Sequence, residues 1–135
     1  MRSVPGTAAP PWYSVTHFTD ADDLVRAVRH AGVEYVPLQA GAYKSSHLAI
    51  GLGAMTVQRV ADQAHVTRGR ANDTHAILLL PIRQSVPSMM NGWQVAQDEA
   101  VLLRPGVEIH SHVAAPVDWA AVALPAEDAD CLLGL

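Results

Sequence analysis

The chain has 135 residues, half of them hydrophobic and 16% charged, with a net charge of −4. That suits one globular domain with a sizeable core and excludes a disordered chain. Lysine occurs once, at Lys44, and the arginines are scattered, so these residues are not expected to grip a nucleic-acid backbone.

Residues 1–16, with Pro5, Pro10 and Pro11 among small residues, read as an extended arm ahead of a domain over residues 17–135. Thr19 or Asp20 can cap a short helix whose first turn carries Asp22 and Asp23. Leu24, Val25, Ala27 and Val28 form its apolar stripe, Arg26, Arg29 and His30 its basic end, and Gly32 its stop. Strands follow: Glu34–Gln39, then His47–Gly53 and Ala54–Val60, bent or joined at Gly51 and Gly53. Ala64–Thr67 leads into a polar turn, Arg68-Gly69-Arg70 through Asn72-Asp73. His75–Ile82 is a nearly continuous apolar run, suited to a strand covered on both faces.

Met89–His112 is the centre of the pattern. Asn91-Gly92 lies between two strand-like runs, and both residues tolerate the positive φ of a type I′ hairpin turn. Ala100–Leu103 runs into Arg104-Pro105-Gly106, a second reversal, and His110 and His112 share one face of the next strand. Val117–Leu124 is the last strand, closed by Pro125, and Ala126–Leu133 starts a helix. Short strands joined by tight turns, with no crossover helices between them, predict a mainly β protein, an antiparallel barrel or jelly roll.

Cys131 is the only cysteine, so no internal disulfide forms and a reducing, cytoplasmic setting is expected. The stretch MRSVPGTAAPPWY lacks the apolar segment of a secretory signal, and Ala76–Ile82 is too short to span a bilayer, so no membrane role is expected.

The order of landmarks resembles the N-terminal, cupin-like ligand-binding domain of AraC-type transcriptional regulators, the arabinose-regulator family. The matching features are the helix after Phe18-Thr-Asp-Ala-Asp, Tyr35-Val-Pro-Leu with Gly41, and the strands Leu48-Ala-Ile-Gly-Leu-Gly and Met55-Thr-Val-Gln-Arg. Then come Arg68-Gly69, Ile77-Leu-Leu-Leu-Pro81, Asn91-Gly92, Pro105-Gly106-x-Glu108, and Trp119 leading to Leu124-Pro125. The likeness spans residues 17–133. It implies a cupin-like barrel that binds a small-molecule effector, a homodimer helped by the helix after the last strand, and DNA contact only through a further C-terminal domain. No basic recognition helix lies before Leu135.

Six residues are candidate ligand contacts. Trp12, beside the proline arm, could close the barrel mouth. Arg59, sharing a face with Val57 and Met55, could clamp an anion. His75 opens the most apolar strand, alternating with Ile77, Leu79 and Pro81, and could orient a ligand. Trp93 and His110 flank the central turns. Trp119 shares a face with Val117, Ala121 and Ala123, a large-and-small mix that leaves room beneath the indole. The alternative is a metal-dependent cupin enzyme using His110 and His112 with His75 or His65, because a divalent ion needs three or four converging ligands. Neither a Gly-x-Ser-x-Gly elbow nor a phosphate-cradling loop is present, so the expectation is a binding module, not an enzyme, with no cofactor.

Overall fold

The computed structural model describes residues 10–134. These form β1 (Trp12–Phe18), α1 (Ala21–Ala27), β2 (Ala31–Pro37), β3 (Ser45–Leu52), β4 (Met55–Asp62), β5 (His65–Ala71), β6 (His75–Gln84), β7 (Ser88–Met90), β8 (Trp93–Val95), β9 (Val101–Leu103), β10 (Glu108–Val113), β11 (Val117–Pro125) and α2 (Ala126–Leu133).

Asn91 and Gly92 have φ of 51° and 82°, so the two-residue turn expected between them forms and pairs β7 with β8. The Asn91 side chain latches that tip to β10: Oδ1 accepts from His110 N at 2.7 Å and Nδ2 donates to Glu108 O at 2.8 Å. From the tip, two lengths of chain run back side by side. β6 pairs with β9, β5 with β10, and β4 with β11, each pair in the opposite sheet from the one before. A long antiparallel ribbon wrapped this way is a jelly roll, so the fold is mainly β and cupin-like as expected.

One sheet has the order β1-β3-β4-β11-β6-β9, the other β2-β5-β10-β7-β8. The wall is not closed into a barrel, which corrects part of the expectation. The sheets keep separate edges and pack face to face through Ala71, Ile77, Leu103, Ile109, Ala121 and Ala123.

Three local expectations are also corrected. Residues 12–16, read as arm, belong to β1, paired along its length with β3; the arm's residues 1–9 lie outside the described residues. Asp20 does cap α1, but the helix ends at Ala27. His30, with φ of 68°, makes the reversal, and Gly32 already lies in β2. Arg68-Gly69-Arg70 is strand, not turn. Both arginines point outward from β5 while His65, Thr67, Gly69 and Ala71 face inward, so an exposed half of a strand mimicked a polar loop.

Gly69 lets two backbones approach. A Cβ there would sit 2.0 Å from Gly32 O and 2.6 Å from Val33 Cα. Near the end of β6, Pro81 has no N–H to offer the ladder, and the β6–β11 register slips opposite it, between Asp118 and Trp119.

The outer face of the six-stranded sheet is apolar. One register line crosses all six strands as Tyr13, Ile50, Val57, Val122, Leu78 and Leu102. On one side lies Leu52–Met55; on the other, Val15, Leu48, Arg59 and Ala120. α2 packs against β6 and β11.

Candidate functional site

Between the two sheets lies a cavity of about 150 Å³. Its apolar wall comes from Ile77, Leu79 and Ala121 on one sheet and Val33, Ile109 and Val113 on the other, with Leu24 and Val28 beside α1. The polar part of the wall is built by β4 and β5. The inward residues of β4 are Thr56, Gln58, Val60 and Asp62, three of them polar, and all are buried.

Buried polar groups must find partners, and these do. Gln58 Oε1 accepts from Arg29 N at 2.9 Å, its Nε2 donates to Arg29 O at 3.3 Å, and Oε1 lies 3.0 Å from His47 Nε2. One glutamine thus fixes the segment leaving α1 to the sheet beneath. Asp62 accepts from the Tyr35 hydroxyl, from the Tyr43 hydroxyl at 2.9 Å and from Gln63 N at 2.8 Å. The Tyr35 ring stacks on His65 with centroids 4.4 Å apart. His65 Nδ1 donates to Gln63 O at 2.6 Å, so a neutral His65 keeps Nε2 as an acceptor. Farther along, the Thr67 and Ser111 hydroxyls bond each other across β5 and β10.

Burial dominates the electrostatics. Desolvation raises the Asp62 carboxyl above its ordinary range despite the hydrogen bonds and the nearby His65 that oppose the shift. It also raises Tyr35, reinforced by the bond to Asp62, and pushes Tyr43 up to about 12. His65 is held below 6.5 by burial, which outweighs its bond to Gln63 O and the Asp62 charge. His30 is lowered by burial and by neighbouring His75 and Arg29.

These directions give a pH prediction. Below the ordinary histidine value of 6.5, the unfolded chain takes up protons that His30 and His65 resist in the fold, so stability is lost as pH falls. Asp62 acts oppositely, because its raised pKa favours folding once the folded carboxyl protonates, nearer the carboxylate range. Tm is therefore expected to drop between about pH 7 and pH 5.5 and to drop less in a His30→Asn, His65→Asn variant. Asparagine tolerates the positive φ at position 30. An equal drop in wild type and variant would contradict the assignment.

Of the candidate residues read from the sequence, the structure places Trp119 on the cavity wall with Val117 and Ala121. The other five lie elsewhere. Trp12 covers Gly51, where a Cβ would overlap the indole, and the Arg29 guanidinium stacks on its ring at 4.3 Å. Arg59 is on the outer face, paired with Asp118 through Nε at 3.0 Å. His75 stacks on His30 with centroids 4.0 Å apart and is not part of the cavity wall. Trp93 sits at the hairpin tip, 78% exposed. His110 points outward from β10, as does His112, while Ser111 between them points in.

The metal arrangement considered from the sequence is not brought together. His110 and His112 are on the outer face, His65 faces the cavity, and His75 stacks on His30. Among the described residues, no three His, Cys, Asp or Glu side chains converge as a metal site.

Sequence reasoning missed Gln58, Asp62, Tyr35, Tyr43, Thr67 and Ser111. The alternation in β4 was visible, but the outward residues Met55, Val57 and Ala61 are the apolar ones, so the strand was read inside out. With apolar residues on both faces of the sheet, period-two patterning alone does not name the inner one.

No protein family matches the sequence, and no curated protein does. Among solved structures, the chain is similar to the EutQ protein of Clostridium difficile, 13% identical, covering 62% of this chain and 71% of that one, with a TM-score of 0.46. An RmlC-like cupin from Shewanella frigidimarina is 10% identical over 71% of this chain and 86% of its own, with a TM-score of 0.49. A cupin 2 conserved barrel domain protein from Rhodopseudomonas palustris is 14% identical over 70% and 71%, with a TM-score of 0.46. The jelly-roll architecture stands on this chain's own strand register.

Proposed function

We propose that the chain is a small-molecule-binding module, the cytoplasmic effector-sensing domain of an AraC-type transcriptional regulator, and that it captures its ligand without changing it chemically. The order of sequence landmarks supports the regulator context. The cavity supports capture, and the observation that carries the reading is its wall: mostly apolar, with a few polar groups and its one carboxylate already hydrogen-bonded. Asp62 is occupied by two tyrosine hydroxyls and a backbone N–H, and the Arg29 guanidinium is stacked on Trp12. A cationic guest would find that carboxylate already taken, and any ion incurs a desolvation cost against so apolar a wall. An uncharged guest fits.

Two polar groups remain to orient it. His65 Nε2 can accept, and the Thr67–Ser111 pair shares one proton, which leaves the other hydroxyl free to donate. Either of them suits a ligand hydroxyl. A cavity of about 150 Å³ of this kind holds one six-membered ring. The ligand class is therefore a single-ring, uncharged molecule carrying a hydroxyl. In a regulator it would act by binding one state of the chain more tightly than another.

Thermal shift with cyclohexanol, phenol, benzoate and glucose tests this. Cyclohexanol or phenol at ten times Kd is expected to raise Tm by roughly 5 °C, and benzoate and glucose to leave it unchanged. His65→Leu is expected to weaken cyclohexanol about tenfold while sparing methylcyclohexane, since one hydrogen bond is lost. Stabilisation by benzoate alone, or by none of the four, would overturn the proposal.

A further inference from the structure

The outer face of the six-stranded sheet has no use in the cavity. Its central row, Tyr13, Ile50, Val57, Val122, Leu78 and Leu102, is apolar from one edge strand to the other. Tyr13 is 78% exposed, Val57 and Val122 at the middle are half-buried, and α2 packs against β6 and β11 of the same sheet. Strand spacing of about 4.8 Å and rows about 6.8 Å apart give roughly 500 Å² of planar apolar face. That is the size of the largest apolar patch on a soluble protein, and such a patch is often an interaction site.

We propose that this face is the interface of a homodimer, in which a second copy packs its own six-stranded sheet against it about a two-fold axis. Area and charge both favour a second copy. Two such faces together cover about 1,000 Å², the size at which specific interfaces begin. An isologous contact must be self-complementary, and this face carries Arg59 beside Asp118, one cation and one anion. The chain as a whole is net −4, so copies repel through most of their surface, but here the charge balances. Rotation about the axis brings Arg59 toward the partner's Asp118 and Asp118 toward the partner's Arg59. The proposed interface is on the sheet, whereas the resemblance implies one on the C-terminal helix.

Sedimentation of the full chain at about 50 μM, well above a micromolar Kd, is expected to give a dimer. Val57→Arg and Val122→Arg each place an unpaired charge at its centre and are expected to raise the dissociation constant about a hundredfold or more. Circular dichroism establishes that each variant is folded. A second pair keeps the test open if either arginine variant does not fold. Arg59→Asp and Asp118→Arg are each expected to weaken the dimer alone and to restore it when mixed. A wild-type monomer at that concentration, a dimer that survives in folded Val57→Arg, or no recovery on mixing would each overturn the interface.

Discussion

Gly69→Ala is expected to lose about 3 kcal/mol of stability or more, whereas Gly32→Ala on the adjoining strand costs less than about 1 kcal/mol. The two glycines lie one residue out of register in neighbouring strands, Gly69 opposite Val33 and Gly32 opposite Arg70, so composition and general location do not distinguish them. Their surroundings do. A Cβ on Gly69 would lie 2.0 Å from Gly32 O and 2.6 Å from Val33 Cα, both backbone atoms that cannot swing aside as a side chain would. A Cβ on Gly32 meets nothing within 4 Å. Relief at position 69 would require β2 to move away from β5, and β2 carries Val33 and Tyr35 on the cavity wall. Urea unfolding checks this through a lower midpoint at unchanged slope. Equal midpoints for the two variants would refute the close approach.

Asp62→Ala is expected to lose roughly 2–4 kcal/mol, with Asp62→Asn losing less. Alanine strands two tyrosine hydroxyls and the Gln63 N–H that now end on the carboxylate, in a wall that water reaches poorly. Against this stands the cost of burying the charge, which the raised Asp62 pKa registers. Truncation still costs stability, because removing the carboxyl leaves three donors without an acceptor in the wall, whichever protonation state it held. Asparagine keeps one acceptor oxygen and removes the charge, which is why its effect is smaller. Tyr35→Phe combined with Asp62→Ala is expected to cost less than the two separate changes summed, since they break the same bond. Should Asp62→Ala prove more stable than wild type, desolvation dominates and the network is not what holds this end of the cavity.

The ribbon was legible where local chemistry dictated one outcome. Asn91-Gly92 and Pro105-Gly106 turn where expected, with positive φ at Asn91, Gly92 and Gly106, and the strands on either side pair as the tip requires. Asp20 caps α1 as its side chain allows. What failed depended on partners distant in sequence. Arg68-Gly69-Arg70 looked like a turn because its inward neighbours are small or polar, and only β2 and β10 on either side make it a central strand. Trp119 lies on the inner face, where its strand alternates it with the outward Asp118 and Ala120. Arg59 was assigned to the interior because Met55 and Val57 beside it are apolar, yet those residues form the outer face. The polar cluster was invisible for the same reason. Tyr35 and Tyr43 meet Asp62 only after β2, β4 and the segment before β3 have been brought together by the two sheets.

The claim at the centre is that the space between the sheets receives an uncharged ring. Methyl-resolved NMR of the full chain titrated with cyclohexanol tests it most directly. The account predicts saturable shifts at Ile77, Leu79, Ile109 and Val113, with Leu102, Val122 and Val57 on the outer face unmoved. Shifts confined to the outer-face methyls, or none in the interior at saturating cyclohexanol, would contradict it.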